Sequence, residues 1–381
     1  MNSAHPTGDR TLAAGRVVTP DGVLEPGWVR LSGSGIAEVG SGPPPGGHTD
    51  LGAGWLVPGF VDVHCHGGGG GAFGPGPEQA RTALAAHRAH GTTTTVASLV
   101  TASLDELVEQ IAALRELVQD DELAGIHLEG PFLAEARCGA HDPALLRPPD
   151  REALERLLAG GGDAVRMITL APELEGSVEA VRTLVDAGVI AAIGHTDAVA
   201  EQVLPAVDAG ATVATHLFNG MRPLHHREPG PVGALLDDER VTVELICDLL
   251  HLHPSIAGLA ARHAGTGRTA LVTDAISATG AGDGEYRLGE LPVTVTGGVP
   301  RLADGSLAGS TLTMDRAFRN LVRECGRSVP EAVAAASTRP AELLGIADRV
   351  GSLRPGGAAD LVHLDDDLQV QRVMRGGEWL S

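Results

Sequence analysis

Short aliphatic runs alternating with amphipathic stretches dominate the middle of the chain. The runs 57–64, 92–99, 125–129, 165–170, 189–195, 212–216, 241–247 and 270–274 are rich in Val, Ile, Leu and Ala, which predicts eight strands. Between them 78–90, 104–118, 177–187 and 198–209 carry apolar residues at helical spacing, and Gly91, Gly188 and Gly210 close three of these stretches as helix stops. Continuous rather than alternating apolar runs suit parallel strands covered on both faces. Such alternation predicts an α/β fold, a (β/α)8 TIM barrel. A doubly wound open sheet has the same pattern, and the count of eight favours closure. Segments 312–325 and 329–344 are the helical patterns that would close the ring.

The two ends read differently. Short β pieces at 16–18, 27–31 and 35–39, and again at 359–364 and 368–374, are broken by Gly, Pro and the acidic turn Asp365-Asp366-Asp367. Neither end can bury a core alone. They are expected to pair as one small discontinuous β-sandwich domain (1–53 with 346–381) flanking a barrel over 54–345.

Composition narrows the function classes. The chain of 381 residues is 43% hydrophobic but holds only three Trp, one Tyr and five Phe, so its core must be aliphatic. A formal net charge of −21 argues against nucleic acid or an anionic membrane as partner, because both need a basic footprint. No apolar stretch is long enough to span a bilayer, and the first ten residues lack the apolar core of a signal peptide. Cys65, Cys138, Cys247 and Cys325 are far apart without a CxxC pair, which indicates neither a disulfide framework nor a thiolate zinc site. A cytoplasmic protein is the expectation. The sequence contains no lysine, which excludes Schiff-base, P-loop and carbamylated-lysine chemistry.

Chemistry concentrates at the ends of the expected strands. His64 and His66 straddle one residue, so on a strand both project from the same face and can grip one metal ion at about 2.0–2.1 Å. The pentaglycine 67–71 that follows is not expected to continue a strand. Later strands end in Glu129, His195, His216 and Asp274. Singly, each has an ordinary explanation: a salt-bridged carboxylate, a hydrogen-bonded core histidine, a helix N-cap. Six such groups at matching barrel positions instead point to a metal site, and a donor set without thiolate suits Zn2+ or Fe2+. His87, His90, His225, His226 and His263 lack this placement and read as surface or helix residues. His127, one layer below Glu129, reads as a packing residue or a hydrogen-bond partner of the site.

The motifs Pro58-Gly-Phe-Val-Asp, His127-Leu-Glu-Gly-Pro-Phe, Gly139-Ala-His, Gly194-His-Thr, Thr215-His-Leu-Phe-Asn-Gly-Met, Arg227-Glu-Pro-Gly, Val272-Thr-Asp-Ala and Leu307-Ala-Gly-Ser-Thr occur in one order along nearly the whole chain. In these the sequence resembles the amidohydrolase superfamily, and within it the family of N-acetylglucosamine-6-phosphate deacetylases. The resemblance implies that Glu129, His195 and His216 hold a principal divalent ion, that His64 and His66 hold a second with Glu129 as bridge, and that Asp274 is general base and then general acid. It implies His141 as the oxyanion donor, and Ala140, Asn219, Gly220, Arg227, His251 and Leu312 as substrate contacts, with the 307–314 loop over the sugar. It also implies an amino-sugar phosphate as substrate, the galactosamine epimer being the alternative, and a homodimer in which Arg227 reaches the neighbouring site. Leu249 stands where the family often has glycine, which puts the pose of His251 in question.

Overall fold

The computed structural model describes residues 9–380; residues 1–8 and 381 of the expected terminal domain lie outside it. Eight parallel strands follow one another around a ring: β1 (Phe60–Cys65), β2 (Thr92–Val100), β3 (Gly125–Glu129), β4 (Val165–Leu170), β5 (Ile190–Ile193), β6 (Val213–Ala214), β7 (Thr242–Ile246) and β8 (Thr269–Val272). Each is hydrogen-bonded to the next, as in a TIM barrel. At the seam between β8 and β1, Thr273 Oγ1 donates to Asp62 Oδ2 at 2.6 Å, and the Asp274 amide donates to the His64 carbonyl at 2.8 Å. Burial pushes the Asp62 carboxyl up to about 6 despite these bonds.

The helices form where the pattern expects them, because each lays an aliphatic stripe on the ring. Leu104–Gln119 is representative: Ser103 and Glu106 form a capping box, and Leu107, Ile111, Leu114 and Leu117 are its buried face. Each such side chain contributes about 1.5–3 kcal/mol on leaving water. The helical pattern over 329–344 forms as expected, with Val329–Val333 and Arg339–Leu343 continuous through a π-helical turn at Ala334–Thr338.

Two sheets from the chain ends pack as a sandwich around Leu12, Val17, Val29, Leu31, Ile36, Leu56, Leu361 and Met374. One sheet holds Arg10–Ala14, Gly27–Ser32, Gly35–Ser41 and Thr49–Asp50. The other holds Arg16–Thr19, Gly22–Leu24, Trp55–Pro58, Leu361–Leu364, Val370–Arg375 and Glu378–Trp379. The run 57–64, expected as one barrel strand, therefore divides at Gly59. Trp55–Pro58 pairs with the terminal strands, and only Phe60 onward joins the ring. A Cβ at Gly59 would lie 2.1 Å from Thr93 Oγ1, so the chain can cross between the sheets there only without a side chain.

The pentaglycine also departs from expectation. Gly67–Gly68 pairs antiparallel with Gly71–Ala72, and the turn residues Gly69 and Gly70 have φ of 61° and 88°, the positive pair that a tight hairpin needs. A three-stranded antiparallel sheet (Gly284–Leu288, Leu291–Thr296, Val299–Arg301) follows β8 and was not foreseen. Among the described residues, no helix is long and apolar enough to cross a membrane.

Candidate metal centre and substrate cavity

The C-terminal mouth of the barrel gathers the residues that the strand-end reading singled out. His64 lies on β1 with His66 one residue beyond its end, and their Nε2 atoms are 3.2 Å apart. Glu129 ends β3. His195, His216 and Asp274 follow just after β5, β6 and β8, with φ of 47°, 29° and 49°. Left-handed backbone costs a non-glycine residue about 1–3 kcal/mol, and such strain clusters at functional sites.

Glu129 is the hub. Its Oε1 is 3.0 Å from His195 Nε2 and 2.9 Å from His216 Nε2, and those two nitrogens are 3.0 Å apart. Its Oε2 is 3.2 Å from His66 Nε2, while Asp274 Oδ1 is 3.2 Å from His66 Nε2 and 3.6 Å from His64 Nε2. Ligand atoms around one tetrahedral zinc stand roughly 3.4 Å apart, so with a small outward relaxation either group could hold an ion. All of these side chains are buried.

The hydrogen bonds on the far side of each ring fix what it offers the centre. His66 Nδ1–H donates to the Ser98 carbonyl at 3.1 Å, His195 Nδ1–H to the Arg137 carbonyl at 2.8 Å, and His64 Nδ1–H to Glu244 Oε2 at 3.1 Å. Each therefore turns its Nε2 towards Glu129, the nitrogen that would serve as a metal ligand once free of its proton. His141 has the opposite polarity. The Thr101 amide donates to its Nδ1 at 3.3 Å, which leaves the proton on Nε2, 3.4 Å from Glu129 Oε2. Burial lowers its pKa to about 4, outweighing Glu129, so the ring is neutral and presents an N–H to the cavity.

Charge at the site is strongly coupled. Burial opposes protonation of His66, yet Asp274 and Glu129 prevail and lift it to about 9; His64 is likewise raised well above the imidazole range by Glu129 and Glu244. Asp274 is held down at about 2, its burial outweighed by His66 and His64. Imidazoles that carry protons at pH 7 must lose them to become ligands, so binding of Zn2+ is expected to release protons. Titrating ion-free protein with Zn2+ in weakly buffered solution at pH 7 should acidify it, and no acidification would remove His64 and His66 from the ligand set.

A cavity of about 280 Å³ opens above the cluster, lined among others by Ala140, His141, Asn219, Gly220, His251, Leu288, Ser306 and Leu307. His251 lines the cavity and is held in place despite the residue at 249. Leu249 adopts φ of 69°, the conformation glycine would take freely. Asp248 then clamps the turn: Oδ1 accepts the amides of Leu250 and His251 at 2.9 and 2.8 Å, and Oδ2 accepts His251 Nδ1–H at 2.8 Å. Burial disfavours the His251 cation, but Asp248 outweighs it and raises the pKa.

One expected substrate contact, Leu312, is not where the sequence placed it. Leu312 is 1% exposed and packs in the main core, because its loop turns inward after Gly309; Leu307 and Gly309 line the cavity instead. Arg227 is exposed on the loop after β6, where Nη1 is 2.7 Å from His226 Nε2, and it does not line the cavity of its own chain. It makes no ion pair with Glu228, whose backbone pairs with His225. His87, read as a surface or helix residue, is on a helix but buried, with Nε2–H on the Gly67 carbonyl at 2.9 Å. His127 lies beneath the centre, bonded to Ser98 Oγ at 2.9 Å and Thr169 Oγ1 at 2.8 Å. Sequence reasoning missed Glu244, Thr101 and Asp248. A lone acid inside the aliphatic run 241–247 was the available signal for Glu244, since carboxylates are almost never buried without a partner.

Residues 55–380 match the model of the Amidohydrolase family. The chain is 39% identical over 378 residues to the N-acetylgalactosamine-6-phosphate deacetylase of Escherichia coli O157:H7, spanning 97% of this chain and 99% of that one. It is 40% identical over 344 residues to the N-acetylglucosamine-6-phosphate deacetylase of Bos taurus, spanning 86% and 84%. A solved structure of N-acetyl-D-glucosamine-6-phosphate deacetylase from Mycobacterium smegmatis, a mutant in complex with N-acetyl-D-glucosamine-6-phosphate, superposes with a TM-score of 0.95 at 47% identity, covering 98% of this chain and 99% of that one. An eight-stranded ring with imidazoles and carboxylates converging at its C-terminal mouth defines a barrel enzyme. The chain belongs to the amidohydrolase family.

Proposed function

We propose that the protein hydrolyses the acetamide of N-acetyl-D-glucosamine 6-phosphate to D-glucosamine 6-phosphate and acetate. The observation that carries this reading is the meeting of Glu129, His195 and His216 within 3.0 Å of one another, beside a deprotonated Asp274 and the neutral N–H of His141. These three would hold the principal divalent ion, Zn2+ or Fe2+. His64 and His66 would hold a second, bridged by Glu129. A bound ion supplies Lewis-acid polarisation of the amide carbonyl and makes water a stronger acid. Asp274 takes the proton of the attacking water and later gives it to the departing amine. His141 Nε2–H stabilises the developing oxyanion. Substituting His141 by Ala is expected to lower kcat by about 10²–10³, the usual cost of one oxyanion donor. Steady-state rates at saturating substrate check this, and an effect confined to KM would assign His141 to binding alone.

The phosphate requires cations, and the cavity lining includes no arginine. His251 provides one partly buried positive group. Arg227, with its bidentate fork, is assigned to the neighbouring subunit's site in a homodimer. Beside its loop lies an apolar groove of about 820 Å³, with Leu224 and Leu259 on its walls at 50% and 52% exposed, which suits a second copy of the chain. A cytoplasmic setting accords with four free cysteines.

Metal-loaded protein should release acetate from N-acetylglucosamine 6-phosphate faster than from the galactosamine epimer or from the unphosphorylated sugar. The epimer is the second reading, favoured by the name of the relative from Escherichia coli O157:H7. Equal turnover of the unphosphorylated sugar would reject the phosphate assignment.

A further inference from the structure

Glu244 lies in the middle of β7 with its side chain turned into the barrel and no exposure to solvent. Its Oε2 accepts two hydrogen bonds, from His64 Nδ1–H at 3.1 Å and from the backbone N–H of His216 at 3.1 Å. Its Oε1 has no protein partner among the described residues, and neither has Nδ1 of His216. Its ion-pair contact among the described residues is His64. Burying a carboxyl group in this way is unfavourable unless its partners require it, and a fold seeking stability alone would place an aliphatic side chain there.

The other anchored imidazoles are held differently. His66 and His195 each donate Nδ1–H to a backbone carbonyl, of Ser98 and Arg137, which no substitution removes. His64 depends on a side chain. The geometry points to Glu244 as the positioning residue of the His64–His66 ion position. It sets the His64 ring so that Nε2 faces Glu129 and Asp274, and the same oxygen ties that ring to the loop that presents His216. The inference rests on the proposed reading of His64 and His66 as ion ligands. Partners in this role change metal affinity by about 10–100-fold when lost.

The test uses two variants of the full chain, Glu244→Leu and Glu244→Gln, stripped of metal and titrated with Zn2+. Bound ion per chain is read by elemental analysis after gel filtration, and helical content by circular dichroism. Wild type should bind two ions. Glu244→Leu, which matches an aliphatic interior but has no acceptor, should keep the ion at Glu129, His195 and His216 and lose the other. Glu244→Gln retains a carbonyl acceptor for His64 and should bind both, the second about 10–100-fold more weakly. Two ions of unchanged affinity in both variants would overturn the inference, as would a wild type that binds only one. So would loss of both ions from a folded Glu244→Gln. A wild type that binds no divalent ion would instead refute the metal reading on which the proposal stands.

Discussion

Asp274→Asn is expected to reduce acetate release by about 10³-fold or more, because in the proposed mechanism one carboxylate serves both proton transfers and each is typically worth 10²–10⁴. The substitution keeps the shape of the side chain and so should leave the anchoring at its backbone intact. There the Asp274 amide donates to the His64 carbonyl at 2.8 Å and its carbonyl accepts the Ser310 amide at 2.7 Å. The ion at Glu129, His195 and His216 should therefore persist. Parallel measurement of turnover and metal content decides the matter: an inactive variant that has also lost that ion would make Asp274 a ligand rather than the proton carrier.

Arg227→Ala should raise KM for the phosphorylated sugar by about 10–10²-fold, the range expected when a charge-assisted pair of 1.5–3 kcal/mol is removed, while barely changing turnover of the unphosphorylated sugar. The stronger measurement mixes Arg227→Ala with the inactive Asp274→Asn and assays them at substrate far below the raised KM of the first, where neither parent alone turns over appreciably. If Arg227 serves the neighbouring subunit, a dimer of one Arg227→Ala chain and one Asp274→Asn chain contains one site with both groups intact. Random re-pairing of equal amounts should then restore roughly a quarter of wild-type activity, as an isologous two-fold interface dictates. No recovery after verified subunit exchange would return Arg227 to its own chain's surface. The absence of any arginine from the cavity lining makes recovery the expected result.

The ring was legible because parallel strands covered on both faces leave uninterrupted aliphatic runs, and the polar residue that ends each run marks the mouth. Glu129, His195, His216 and Asp274 could be read in that way from one-dimensional spacing. Glu244 could not, because it interrupts its run from within, and its meaning depends on a histidine that is 180 positions away. Leu312 was misplaced for the converse reason: a loop motif says which residues travel together, but packing decides which of them turn inward. The split at Gly59 was hidden because the residues on both sides of it are equally apolar, and only the contact with Thr93 shows why the chain changes sheets there. The strand Leu291–Thr296 does alternate, with Val293 and Val295 buried between exposed neighbours, a period-two signal overshadowed by the stronger pattern before it.

The seam between the last and first strands has a consequence for how this enzyme comes into being. It is joined by Thr273 gripping Asp62 and by the Asp274 amide on the His64 carbonyl, so the stitches that complete the cylinder are the immediate neighbours of the groups proposed to do the chemistry. On the proposed role of Asp274, a newly made chain would set its proton carrier in place only as the cylinder shuts, and lesions at Asp62 should delay maturation and silence the product together.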